Sequence, residues 1–494
     1  MRTGTKSSSS STKPLSPALS PLVRRGEREK NGHATELANF DWPLANEAEV
    51  LLRAKISDFL ARNSFARRLA ERLRDETGTD IFEWTDHLVL SPSDEKLLRA
   101  AGFERDESSE TPDGEAVFEH PRATLPRVLL RPGQKQNPSV LALRPEFVAE
   151  FVAANNVSGE PEGEPASRYR RIVVAEENGT SLEAVERRCY RGFVPAPLKA
   201  GEAQAILKAR ELWNTRRRVF AEDSEGVCEA NRILDRTIKL VGRDLACQFF
   251  FESERAYWAN RNRAGRIQKR RQDQLGLGWG NHDHHTFRCS REHFVDLIEF
   301  LLKLGFEKRE RYYAGAEAGW GAQISEQPVT GIVVFADVDL MPEETQIDFA
   351  TNKLPPASRL GTVGLWVGLH GESFLEAGMH HLEARFDFDF LRDQLKEQGV
   401  TTMKPFSDFA FLRQAFTEGE RWPVRRERIE KLLATKLITR EQAEQFGKEG
   451  AIGSHLENLQ RHGGFKGFNQ KSVSVVITAT DPRKQHFARA AVAA

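Results

Sequence analysis

One internal repeat constrains this 494-residue chain more than any other feature. The segments NHDHHTFRCSREHFVDLIEFLLKLGF (281–306) and GMHHLEARFDFDFLRDQLKEQGV (378–400) share a pattern. Each opens as a short His-rich strand, continues into an amphipathic helix of about three turns, and closes at a glycine, a common helix stop. In each, a histidine is followed four residues later by an arginine: His284 and Arg288, then His381 and Arg385. A recurrence of strand, helix and His-x3-Arg spacing predicts a duplicated βα-type module.

The spacing carries a chemical expectation. Side chains alternate faces along a strand, so residues four apart point the same way. His284 and Arg288 share a face, with His282 expected on it too, and so do His381 and Arg385. Two such strands side by side would bring two imidazoles and two guanidiniums to one cavity. Imidazole nitrogen ligates Fe, Zn, Cu or Ni. Guanidinium matches both oxygens of a carboxylate. Such a site suits an anionic, oxygen-bearing substrate. The nearest acids, Asp283 and Glu383, are read as facing away from their neighbouring histidines and receive no role.

The rest of the chain divides by texture. Residues 1–38 are rich in Ser, Pro and Lys/Arg and read as a disordered tail with no signal-peptide core. Residues 39–156 read as an N-terminal α+β domain, helical over 47–76, with a strand within 121–133. The segment 157–168 reads as a linker. Residues 169–275 read as mixed and mainly helical: strands in RRIVVAEE and RRCYRGFV, then helices from Lys199 to Gln274. Residues 276–485 read as a metal-binding module. Within it GAQISEQ and TGIVVFADVD read as strands, as does Ser472–Thr478, and Lys466 and Asn469 are candidates to close the pocket.

Composition narrows the function classes. Lys+Arg and Asp+Glu are both 72, so no global charge points to nucleic acid or membrane. The basic stretch Arg261–Arg271 lacks a base-reading motif and reads as a solvated helix end. No apolar run is long enough for a membrane span. The four cysteines form no CxxC pair, which favours a reducing, cytoplasmic compartment. No Walker A motif, dinucleotide fingerprint or nucleophile elbow is present.

On the motifs HHTFR (284–288), MHHLEAR (379–385), FLRQAFTEGERW (411–422) and GSHLENLQRHGG (453–464), the C-terminal half resembles the 2-oxoadipate dioxygenase/decarboxylase family. Its strand-helix pairs resemble the vicinal-oxygen-chelate fold, in which two βαβββ units enclose a metal. The resemblance implies an α+β chain: a duplicated βαβββ metal module preceded by α+β and helical regions. It implies His284, His381 and Glu457 as metal ligands, with Glu449 as the alternative third. It implies Arg288 as the grip on a substrate carboxylate, and Arg385 and Arg413 facing the same site. The cofactor implied is Fe(II). The substrates implied are dioxygen and a small 2-oxo acid such as 2-oxoadipate, giving 2-hydroxyglutarate.

Two further classes stay open. The ligand types also suit Zn, Mn or Ni in a non-oxidative lyase, isomerase or hydrolase. A degenerate module that senses a ligand is the third. The sequence leaves the oligomeric state open.

Overall fold

The computed structural model describes residues 42–112, 114–313, 319–344, 346–470 and 472–483. The expected N-terminal tail lies outside them. Within this span the fold is α+β, with a seven-stranded and a nine-stranded sheet. No helix among the described residues is long and apolar enough to cross a membrane.

The first sheet holds β1 (Thr85–Leu90), β2 (Glu104–Asp106), β3 (Ala116–Glu119), β4 (Arg127–Leu130), β5 (Val140–Leu143), β6 (Tyr169–Glu177) and β7 (Thr180–Arg187). Their order is β2-β3-β4-β1-β5-β7-β6, so the strands on both sides of 157–168 share one sheet. The second strand after that segment is TSLEAVER, ahead of the RRCYRGFV stretch the pattern picked out. Helices Asn46–Arg62 and Ser64–Thr77 cover this sheet through Leu52, Ile56, Phe59, Leu69 and Leu73.

The second sheet is built from two like units. The first runs β8 (His282–Arg288), helix Phe294–Lys303, β9 (Glu307–Tyr313), β10 (Trp320–Glu326), β11 (Val333–Asp339). The second runs β12 (His381–Arg385), helix Phe388–Glu397, β13 (Ser407–Phe409), β14 (Leu412–Phe416), β16 (Ala451–Arg461). Between β14 and β16 the second unit carries β15 (Glu420–Trp422) and helices Arg426–Ala434 and Arg440–Glu449.

In the first unit β8 pairs β11 in parallel, and β10 joins β11 to β9 antiparallel. In the second, β12 pairs β16 in parallel, and β14 joins β16 to β13 antiparallel. The units meet where β8 and β12 run antiparallel. Each is therefore a βαβββ unit, related by a local two-fold through the β8–β12 seam. Opposite-strand partners His285 and Leu382 lie on that axis, which carries His284 onto His381 and Thr286 onto Glu383.

Local chemistry explains the repeated helices. In the first, Phe294, Leu297, Ile298 and Leu301 recur at helical spacing and are buried. In the second, the Asp387 side chain caps the N-terminus by accepting from Phe390 N, and Phe388, Leu391 and Leu395 are buried. Both chains leave through a glycine in the left-handed region, Gly305 at φ 88° and Gly399 at φ 67°.

Helices Glu202–Asn214, Asp223–Val241, Arg243–Asn260 and Arg263–Asp273 follow the first sheet. Their Trp213, Phe250, Phe251 and Trp258 share one core with Phe287, Leu382, Ala384 and Leu456 of the second sheet. One face of the β8–β12–β16 seam is thus sealed by helix. The side chains of the opposite face form the site.

Candidate metal centre

The strands β8, β12 and β16 are neighbours, and their register sets the site. Glu383 stands opposite both His284 and Glu457, and His381 opposite Thr286. One nitrogen each of His284 and His381 and one oxygen of Glu457 lie within 4.8 Å of one another. His381 Nε2 is 3.1 Å and His284 Nε2 4.0 Å from Glu457 Oε2. All three residues are buried, and they line a cavity of about 40 Å³. Trp320, Phe335, Phe406, Phe416 and Phe468 supply its apolar wall.

Glu383 corrects the sequence reading. It lies two residues beyond His381, an even step, so it shares that face, and its Oε2 is 2.8 Å from His284 Nε2. Asp283 also turns toward the site, for a different reason. Glu383 pairs with His284 and the next residue, Ala384, with His282, so Asp283 has no residue opposite: a β-bulge. The bulge brings Asp283 Oδ2 to 3.4 Å from His284 Nδ1, and Asp283, His284 and Glu383 form a second close group. The same bulge breaks the alternation expected of His282, whose ring packs 5.3 Å from that of His285 instead of joining His284.

Other contacts orient the triad. Gln414 Nε2 donates to Glu457 Oε1 at 3.1 Å, the Thr286 hydroxyl lies 2.8 Å from His381 Nε2, and His380 Nδ1 lies 3.1 Å from His381 Nδ1. The contacts at Nδ1, His380 on His381 and Asp283 on His284, fix ring orientation and tautomer, while Thr286 meets the His381 nitrogen that faces Glu457. Even offsets from His284 and within β14 were the available signals for Thr286 and Gln414.

The arginines separate. Arg288 keeps the His284 face and is fully buried, opposite the cavity-lining Asp337. Its Nε and Nη1 have no hydrogen-bond partner among the described residues, and Nη2 reaches only Thr480 Oγ1 at 3.5 Å. Arg385 does not reach this cavity. It lines a second, larger one, 3.6 Å from Glu83 and 3.9 Å from Asp283. Arg413 is not brought to the site either. It forks onto Asp389 at 2.6 and 3.0 Å and lies over the Phe388 ring, while its neighbour Gln414 takes the inward position. Glu449 is exposed at the end of helix Arg440–Glu449, whereas Glu457 is buried mid-strand on β16.

Residues 473–479 form a helix and not the expected strand. The β-branched run satisfies either pattern in isolation. Val473 and Ile477, four apart, both line the cavity as one helical face, so tertiary packing selects the helix. Asn469 lines the same cavity, while Lys466 lines the larger one.

The electrostatics fit a divalent cation. Burial, with Glu383 beside it, pushes the Glu457 carboxyl well above the usual range. Burial pulls the His284 imidazole down, but Glu383 and Asp283 outweigh it and raise its pKa. Burial holds His381 well below its ordinary value, as the neutral imidazole a metal needs. The raised Glu457 carboxyl and His284 imidazole retain protons that a cation would replace. The donor set suits Fe(II), Zn, Mn or Ni.

No family model and no curated protein matches the chain. Among solved structures, hydroxyglutarate synthase from Oryza sativa in complex with 2-oxoadipate is 13% identical, over 48% of this chain and 92% of that one, at a TM-score of 0.32. A mutant 4-hydroxymandelate synthase from Streptomyces coelicolor is 13% identical, over 82% and 99%, at 0.28. Methylmalonyl-CoA epimerase from Mycobacterium tuberculosis is 13% identical, over 37% and 88%, at 0.21.

Proposed function

We propose that this chain is a non-haem Fe(II) dioxygenase that decarboxylates a small 2-oxo acid. The observation that carries the reading is the meeting of His284, His381 and Glu457 in one buried cavity, with Arg288 on the same strand face. Two histidines and a carboxylate on one side of an ion leave its other positions open, the arrangement of non-haem Fe(II) oxygenases. Bound Fe(II) would supply the redox chemistry with dioxygen.

The chain's own groups account for the rest. The free Nε and Nη1 of Arg288 would take a substrate carboxylate as a bidentate pair. Asp283 and His380 meet the Nδ1 atoms of the two imidazoles and hold the rings, and Gln414 holds Glu457. The phenylalanine wall and helix 473–479 keep bulk water from the reacting centre. For 2-oxoadipate the balanced reaction is 2-oxoadipate plus O2 giving 2-hydroxyglutarate plus CO2. The 40 Å³ cavity is small for such an acid, so helix 473–479 would shift on binding.

One observation favours a second reading. Glu383, 2.8 Å from His284, offers a fourth ligand. Four protein ligands close a position that dioxygen would need and suit a non-oxidative isomerase or lyase working by proton transfer. Elemental analysis of anaerobically purified protein, with oxygen uptake on a panel of 2-oxo dicarboxylic acids, separates the two. The dioxygenase reading expects stoichiometric iron and uptake that vanishes in His381→Ala. Zinc or no metal, with no uptake on any acid, rejects it.

A further inference from the structure

A second cavity, of about 420 Å³, opens between the two sheets and lies against the metal site. Phe335 borders both. Nine arginine and lysine side chains line it, against seven carboxylates.

The carboxylates are largely spoken for. Asp86 accepts from Arg187 at 2.8 Å, Glu146 from Arg255 at 3.2 Å, and Asp283 from Arg461 at 2.9 Å. Glu119 pairs with Arg191, and Glu252 with Arg210 outside the cavity. Three guanidiniums are left short of partners. Arg144 makes no side-chain hydrogen bond or ion pair among the described residues. Among the described residues Arg127 donates only to the Arg191 carbonyl and the Ser109 hydroxyl. Arg385 has only distant acids, and its buried Nε has no hydrogen-bond partner. Buried Arg187 Nη2 and Arg255 Nε are unpartnered too.

Such an arrangement is unfavourable without a ligand. The buried Arg385 Nε, Arg187 Nη2 and Arg255 Nε lack the hydrogen bonds their donors require, and half-buried Arg144 and Arg127 turn further donors to the same cavity. Burial and neighbouring arginines push Arg127 down to about 9, and burial lowers Arg144 as well. Burial pushes the Glu83 carboxyl, nearest Arg385, up to about 7, so it is a weak counter-charge.

We propose that this cavity is a second binding site, for a small molecule bearing a phosphate group held by Arg144 and Arg385, with Arg127 also in its lining. The lining's excess of two positive charges matches a phosphate dianion, and guanidinium forks match its oxygens. The volume leaves room for an organic body of ordinary ligand size. The inference does not depend on which metal the neighbouring site holds.

The test uses the full chain and inorganic phosphate, with chloride at matched ionic strength as the control. Phosphate is expected to raise the melting temperature of the wild type by several degrees and to bind saturably in calorimetry. Arg144→Gln should melt close to wild type without phosphate, because the half-buried guanidinium is partly solvated. Its phosphate affinity should fall at least about tenfold. Arg385→Gln should weaken phosphate binding in the same way and stands in should Arg144→Gln not fold. His381→Ala should keep the phosphate response. Equal phosphate stabilisation of wild type and Arg144→Gln would reveal a general salt effect and overturn the site. So would the absence of saturable binding, or loss of the response in His381→Ala, which would move the anion to the metal centre.

Discussion

Arg288 is a group whose role in binding and whose burden on stability should come apart. Its guanidinium is fully buried, 5.8 Å from the Trp366 ring, with two nitrogens unpartnered among the described residues. Burial outweighs the attraction of Asp337, Asp339 and Asp481 and pulls its pKa down to about 10. Against an ordinary value of about 12.5, that corresponds to about 3 kcal/mol of destabilisation of the charged form on folding. The sign follows from linkage. At pH 7 the group is charged in both folded and unfolded chains, so the full penalty applies; it fades only as pH rises past about 10. Arg288→Met removes the charge and keeps much of the volume. Asp337, which burial pushes up to about 7, can take a proton once its counter-charge is gone. Substrate-free Arg288→Met is therefore expected to gain about 1–3 kcal/mol in urea denaturation at pH 7. The KM for a 2-oxo acid should rise by about 100-fold, since a charge-assisted bidentate pair is lost. A variant destabilised by more than about 2 kcal/mol with an unchanged KM would refute the reasoning and make Arg288 a structural residue.

Three other perturbations probe the site. Glu383→Gln should weaken metal binding by about 10–100-fold, measured by competition with a chelator, because its carboxylate lies 2.8 Å from His284; unchanged affinity removes Glu383 from the centre. Gly453→Ala should destabilise by about 2–4 kcal/mol in chemical denaturation, since the added methyl would overlap the ring of buried Trp422, whose Nε1 donates to Arg261 O at 2.8 Å; a silent substitution would mean that the ring can move. Arg413→Ala should leave metal content and activity unchanged and shift stability by no more than about 1 kcal/mol, because its partners Asp389 and Asp408 are exposed; a loss of activity would place it nearer the chemistry than the geometry does.

What the sequence determined by itself was local and periodic. Helix 294–303 and helix 388–397 were legible in their apolar spacing and closing glycines, and their recurrence after His-rich strands marked the duplication. Even spacing along a strand was enough to pair Arg288 with His284, and it would have been enough for Glu383, two residues past His381. The tertiary structure alone decided the rest, because it turned on partners distant in the chain. The unpaired position of Asp283, which turns that carboxylate toward the site and takes His282 from it, exists only in the register between β8 and β12, strands 97 residues apart along the repeat. The run 473–479 satisfied strand and helix equally, and only the cavity beneath it selected the helix. Arg385 and Arg413 carried the right chemistry at plausible spacing. Arg385 instead lines the larger cavity and Arg413 pairs with Asp389, so neither meets the candidate metal site. Periodicity dictates which face a side chain takes on its own strand, and packing between strands dictates what that face meets.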